Sequence, residues 1–109
     1  MKPTFKTDGN FAIHVTDLEK AERFYSDMLG FELISKSGSQ LVYETGVIRL
    51  YINIDGKIIP FIPALEVPDY EQAKALLIAN GCTIIKEFEG GHALYFSDPF
   101  GITMDMIQK

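Results

Sequence analysis

The chain has 109 residues, enough for one domain, and its 47% hydrophobic content, with eight Phe and five Tyr, excludes an intrinsically disordered protein. The formal net charge is −5 and the lysines are scattered singly, so neither nucleic acid nor an anionic membrane is an expected partner. A lone cysteine excludes an internal disulfide or a Cys-rich zinc site, and no apolar run approaches the roughly 18 residues needed to span a membrane. The polar segment Met1–Asn10 lacks the apolar core of a signal peptide, so a cytoplasmic protein is expected.

Phe11–Thr16 alternates apolar and small or polar residues and reads as a strand. Asp17 suits the N-cap of a helix, and Leu18, Ala21, Phe24, Tyr25, Met28 and Leu29 form its apolar stripe. Gly30 ends that helix. Strands follow at Phe31–Ser35, Gln40–Glu44 and Val47–Ile54, the last closed by Asp55-Gly56. Gly56–Pro60 reads as the linker.

The order then repeats. Phe61–Val67 is a strand, with Pro63 pointing to an edge or a bulge. Asp69 caps a helix carrying Tyr70, Ala73, Leu76 and Leu77, and Gly81 stops it. Strands follow at Cys82–Phe88, His92–Ser97 and Ile102–Ile107. Cys82 opens an apolar run and reads as a small buried hydrophobe. Asp98-Pro99-Phe100-Gly101 has the residue preferences of a type I turn.

Shifted by 52 residues, Ala12–Ala21 lies over Ala64–Ala73 with five identities in ten. Each helix is also followed by a glycine and an apolar pair, Leu33-Ile34 or Ile84-Ile85. The chain therefore reads as two β-α-β-β-β modules, one about 8–56 and the other about 60–109.

Side chains alternate sides along a strand, so parity sorts the faces. Phe11, Ile13, Val15, Ile48, Leu50 and Ile52 should meet the first helix. Ile102, Met104 and Met106 should meet the second. The opposite face collects Asn10, His14, Arg49, Tyr51, Glu66, Thr103 and Asp105. Such a face is either solvated or the polar lining of a concave pocket.

The string VTDLEKAERFYSDMLGFEL (Val15–Leu33), the closing SDPFGITMDMI (Ser97–Ile107) and the repeat together resemble the glyoxalase / bleomycin resistance protein / dioxygenase group, the vicinal oxygen chelate superfamily. The resemblance implies an α+β fold. Its two βαβββ modules would form a cup-shaped mixed sheet with helices on the outer face, often in a homodimer. It also implies where metal-dependent members place their ligands: at the start of each module's first strand and on each module's last strand. In this sequence those positions are Asn10, Arg49, Ile62 and Asp105. Isoleucine offers no lone pair, arginine is a permanent cation and asparagine is a weak ligand, so only Asp105 suits a divalent ion. One good ligand does not hold a catalytic ion that needs about three.

The expected function is therefore metal-independent binding of a small organic molecule in the cup of a homodimer, with no cofactor. The candidate ligand-binding residues are Asn10, His14, Arg49, Tyr51, Glu66 and Asp105. Arg49 either pairs with Asp105 in place of a metal or clamps a carboxylate or phosphate. Tyr51 is placed to stack on a flat or cationic ligand. The alternative is a glyoxalase-type lyase or isomerase resembling lactoylglutathione lyase, with an absent or displaced metal site. His14 and Glu66, which are repeat-equivalent, are its candidate catalytic residues, with Asp105 as a third ligand if a metal is displaced onto them. A third reading is a dimerisation module with a filled cup.

Overall fold

A computed structural model describes residues 5–109. They fold as eight strands and two helical segments: β1 (Lys6–Val15), α1 (Leu18–Glu22, continuing as a π-helical stretch, Arg23–Met28), β2 (Glu32–Lys36), β3 (Gln40–Glu44), β4 (Arg49–Ile54), β5 (Ile59–Val67), α2 (Tyr70–Ala79), β6 (Thr83–Glu87), β7 (Ala93–Ser97) and β8 (Thr103–Gln108). This is the expected α+β order, β-α-β-β-β twice over. Residues 9–62 form one compact unit, and residues 63–109 with residues 5–8 form the other.

In the unit of residues 9–62, β2 and β3 pair antiparallel, β3 and β4 antiparallel, and β4 lies parallel to β1. The register sets Asn10 beside Arg49, Ala12 beside Tyr51 and His14 beside Asn53. Ile13, Ala21, Leu41, Tyr43, Leu50 and Ile52 form its core, with Val15, Leu18, Tyr25, Phe31 and Leu33 packed against it. Of the side chains that strand parity assigns to the helix side, Ile13, Val15, Leu50 and Ile52 belong to this core, while Phe11 and Ile48 do not. The second unit repeats the plan: β5 is parallel to β8, and β8–β7 and β7–β6 are antiparallel. Its core is Val67, Tyr70, Ala73, Leu77, Leu94, Phe96 and Met106.

The helix starts follow from the sequence. Asp17 and Asp69 both sit in extended conformation, and each side chain accepts a hydrogen bond 3.0 Å long, from the Lys20 N–H and the Gln72 N–H respectively. These bonds satisfy amide donors that the first helical turn leaves without partners. Gly30 and Gly81, at φ +76° and +91°, supply the left-handed residue that follows each helix. The Asp98 turn forms as expected, its carboxylate accepting from the Phe100 and Ile102 amides at 2.8 and 2.9 Å.

The repeated apolar pair has a structural cause. The register shifts between Leu33 and Ser35 and again between Ile84 and Lys86, so Ile34 and Ile85 are the extra residues of two equivalent bulges. Leu33 and Ile84 pack inward, while Ile34 and Ile85 are exposed.

Several sequence expectations need correction. The first strand begins at Lys6, within a segment too polar to read as a strand; residues 1–4 of that segment lie outside the described residues. Strand β5 begins at Ile59, so most of the expected linker is turn and strand. Strand β4 begins at Arg49, leaving Val47 in the turn and 94% exposed. Ile102 lies in the turn before β8 and is exposed.

The first helix departs most from expectation. Asp17 and Gly30 are 13 positions apart, whereas Asp69 and Gly81 are 12 apart. The extra residue is absorbed by the π-helical stretch, marked by the Leu29 amide donating to the Phe24 carbonyl at 2.9 Å, five residues back. Tyr25, the counterpart of Leu77 in the second unit, packs against the core as expected. Phe24 and Met28, expected on the packed face, are instead exposed. Ser26 then reaches the phenol of fully buried Tyr43 at 2.7 Å, and the Tyr25 and Phe31 rings stack 6.3 Å apart.

Candidate functional site

The six candidate ligand-binding residues fall in two groups, one in each unit. In the first unit, Asn10 on β1 and Arg49 on β4 are register partners, and Tyr51 lies two residues further along β4. Arg49 has an ion-pair partner within its own unit. Its Nε donates to Glu44 Oε1 at 2.8 Å, because the β3–β4 register puts Glu44 directly opposite. Glu44, with a hydrogen bond to Tyr51 as a second cause, raises the Arg49 guanidinium above its ordinary pKa. Nearly half of the Arg49 side chain remains exposed.

His14 is buried, and its Nδ1 lies 2.7 Å from Asp55 Oδ2. Asp55 follows β4, and its backbone amide donates to the Val15 carbonyl at 2.8 Å, which fixes the carboxylate beside the imidazole. The hydrogen bond from His14, then one from the Gly56 amide, holds the Asp55 carboxyl below its ordinary range. His14 is thus oriented by a carboxylate that spacing along the sequence did not reveal.

In the second unit, Glu66 on β5 lies between two ammonium groups, Lys6 Nζ and Lys109 Nζ, each 3.8 Å away. Lys109 also reaches Asp8 at 3.3 Å. Lys6, Glu66, Val67, Pro68 and Lys109 line a cavity of about 280 Å3. Asp105 on β8 stands beside Ala64 and Tyr95 in the register. Burial first, and the Asp8 carboxylate second, push its pKa up to about 6, against a smaller opposing pull from Lys109.

This geometry decides whether a chelated metal fits. Asp105 is a carboxyl whose ionisation is opposed by burial and by Asp8, Glu66 is held by two lysines, and Arg49 is a cation tied to Glu44. Ile62 is fully buried and has no donor atom. Among the described residues, no three His, Cys, Asp or Glu side chains gather as a metal would require. The residues at the implied ligand positions therefore do not fit a divalent ion.

A further concavity was not expected from the sequence. It holds about 520 Å3 and lies entirely in the unit of residues 9–62. Ile13, Val15 and Leu50 place it on the helix side of the strands, opposite Asn10, Arg49 and Tyr51. Tyr25, Leu29 and Phe31 form one wall, Thr45 and Ile48 a second, and residues 58–61 a third. Residues 58–60, expected to be linker, are therefore part of a pocket wall. The sequence signals were the run Ile58-Ile59-Pro60-Phe61 and the longer cap-to-glycine spacing of the first helix.

Residues 9–46 match the family model for bleomycin resistance protein-like N-terminal domains. No curated protein is a significant sequence match. Among solved structures, an extradiol ring-cleaving dioxygenase from B. fuscum is similar, with a TM-score of 0.74 at 22% identity over 98% of this chain and 33% of that one. The substrate complex of homoprotocatechuate 2,3-dioxygenase from Brevibacterium fuscum is similar too, with a TM-score of 0.72 at 24% identity over 98% of this chain and 37% of that one. The chain thus spans about a third of the length of these dioxygenases. Their shared fold is that of the vicinal oxygen chelate superfamily, the group that the sequence motifs resemble. No helix among the described residues is long and apolar enough to cross a membrane.

Proposed function

We propose that this chain is a metal-independent small-molecule-binding protein of the bleomycin-resistance type, acting as a homodimer. The observation that carries the reading is the Arg49–Glu44 ion pair, at a position where metal-dependent members of the group need a ligand. Its partner in the register is Asn10, and Tyr51 adjoins it, so one strand face offers an amide, a guanidinium and a phenol together. An organic acid suits that face, because its carboxylate can compete with Glu44 for the half-exposed guanidinium. Glu66 and Asp105 would contribute from a strand face of their own unit. The homodimer and the cup belong to this proposal.

The test is titration with zinc, nickel, manganese and ferrous iron, reading bound metal and melting temperature. The expected result is no stoichiometric binding and no stabilisation. Any of the four ions bound one per chain with a raised melting temperature would overturn the reading.

One observation favours the second reading, a metal-free lyase or isomerase of the glyoxalase type: the His14–Asp55 pair has the geometry of a base oriented by a carboxylate. Against it, the second ring nitrogen of His14 is buried, so a substrate could not reach it without movement. Turnover of a hemithioacetal that His14→Gln abolishes while leaving the melting temperature unchanged would establish the second reading in place of the first.

A further inference from the structure

We propose that the cavity on the helix side of the first unit is a binding site for a small, uncharged aromatic molecule. This inference is independent of the polar strand face proposed above, and either can fail alone.

Size and chemistry both point to such a ligand. At about 520 Å3 the cavity falls within the roughly 300–1,000 Å3 typical of small-molecule sites. None of its thirteen lining residues is Lys, Arg, Asp or Glu, and the imidazole of the lining residue His14 is already engaged by Asp55, so little compensates the cost of taking a charged ligand out of water. Eight are Ile, Leu, Val or Pro, including Ile13, Ile48 and Leu50.

The aromatic wall gives the preference for a flat ring. Tyr25 and Phe31 stack with an interplanar angle of 21°, and Tyr25 also lies 6.2 Å from the Tyr43 ring. Tyr43 is itself fixed by Ser26, so the wall is rigid before any ligand arrives. On the other side Phe61 meets Phe11 edge to face at 6.3 Å. A ring entering the cavity meets aromatic edges and faces already held in place.

Of the polar lining side chains, His14 is bound to Asp55 and Tyr25 belongs to the aromatic wall, while Thr45 offers an acceptor to orient the ligand. The Thr45 hydroxyl donates to the Ile48 carbonyl at 2.8 Å, which leaves its oxygen lone pairs as acceptors at the cavity rim. A phenol or an indole N–H has the matching donor. The exposed lining residues Leu29, Ile58 and Phe61 mark the opening.

The test uses N-phenyl-1-naphthylamine, a neutral fluorescent probe, with the full chain. Saturable binding at one probe per chain, displaced by 2-naphthol and not by 2-naphthalenesulfonate, is expected. Ile48→Trp fills the cavity and should weaken binding at least tenfold. Leu29→Lys places a charge at the rim and should do the same if the core variant does not fold. Ile85→Ser removes an exposed apolar residue of the other unit and should leave the affinity unchanged. The proposal is overturned by non-saturable binding, by equal displacement with the sulfonate, or by full affinity in a folded Ile48→Trp or Leu29→Lys. It is also overturned if sedimentation shows a stable dimer that excludes the probe, because the apolar rim then belongs to a second copy of the chain.

Discussion

Replacing Asp105 by Asn should stabilise the protein at neutral pH and leave it nearly unchanged at pH 4. The Asp105 carboxyl is raised from its ordinary value of 3.8 to about 6, chiefly by burial and then by the Asp8 carboxylate. Between those two values the folded state binds more protons than the unfolded state, so stability must fall as pH rises through the window. A shift of about 2 units corresponds to a ceiling of about 3 kcal/mol at pH 7. Asp105 keeps part of its surface in water and Lys109 opposes the shift, so screening reduces the expected effect to about 1–2 kcal/mol. Asn removes the ionisation while keeping the shape. The assay is urea unfolding of both proteins between pH 4 and pH 7.5, plotted as the stability of the variant minus that of the parent. The subtraction matters because Asp55 and Glu87, held low by His14 and by Lys74, slope the other way: their contribution is lost as pH falls. The difference should rise through pH 4–6 and then level off. A flat difference, or a variant less stable than the parent at pH 7, would refute the burial argument and show that the ionised carboxylate is well solvated or well paired.

Asp17→Ala and Asp69→Ala should each cost about 1 kcal/mol by chemical denaturation, because each removes the acceptor for one amide of a first helical turn; a loss under ~0.3 kcal/mol at both sites would contradict the capping assignment. Ser26→Ala should cost about 1–3 kcal/mol, since it leaves the fully buried Tyr43 hydroxyl without its partner in the π-helical stretch, whereas Tyr43→Phe should cost less because the Ser26 hydroxyl it frees is only half-buried. Equal losses would show that the bond is incidental. Tyr70, pushed up to about 12 by burial and by the Glu87 carboxylate that its hydroxyl donates to, should give the last step of a spectrophotometric tyrosine titration. Tyr70→Phe should delete that step and no earlier one.

The parts of the fold legible in the sequence are those fixed by local rules. Both caps, both stop glycines and the Asp98 turn depend on residues within a few positions of each other, and all are present. Strand parity also held, because alternation is a property of the backbone: Leu50 and Ile52 point to the helix and Arg49 to the other face. The failures involve distant partners. The repeat offers Asp105 as one alternative partner for Arg49, whereas the hairpin Glu44–Arg49, closing around Gly46, brings Glu44 directly opposite it. The strand character of Lys6–Asn10 is invisible to a pattern search, since no apolar alternation runs through it. The cavity escaped notice because its lining comes from four separate stretches of chain.

The divergence of the two helices traces to one inserted residue. Up to Tyr25 and Leu77 the repeat keeps an offset of 52; from Gly30 and Gly81 through β2 and β6 it is 51, and the later strands, after turns of different length, are offset further. In the second unit α2 is regular, and Leu77 is buried in the core between Tyr70, Ala73 and the strands. In the first unit the extra residue is taken up by the π-helical stretch, which contains the inward-facing Tyr25 of the aromatic wall and is followed by Leu29 at the cavity rim. A π turn survives only where tertiary contacts outweigh its poorer backbone bonding, and here the Ser26–Tyr43 bond and the Tyr25–Phe31 stack supply them. The same contacts that tolerate the insertion therefore build the wall of the pocket. The pseudo-symmetry of the sequence specifies the scaffold, and its break within the first helix lies beside a cavity with the size and lining of a binding site.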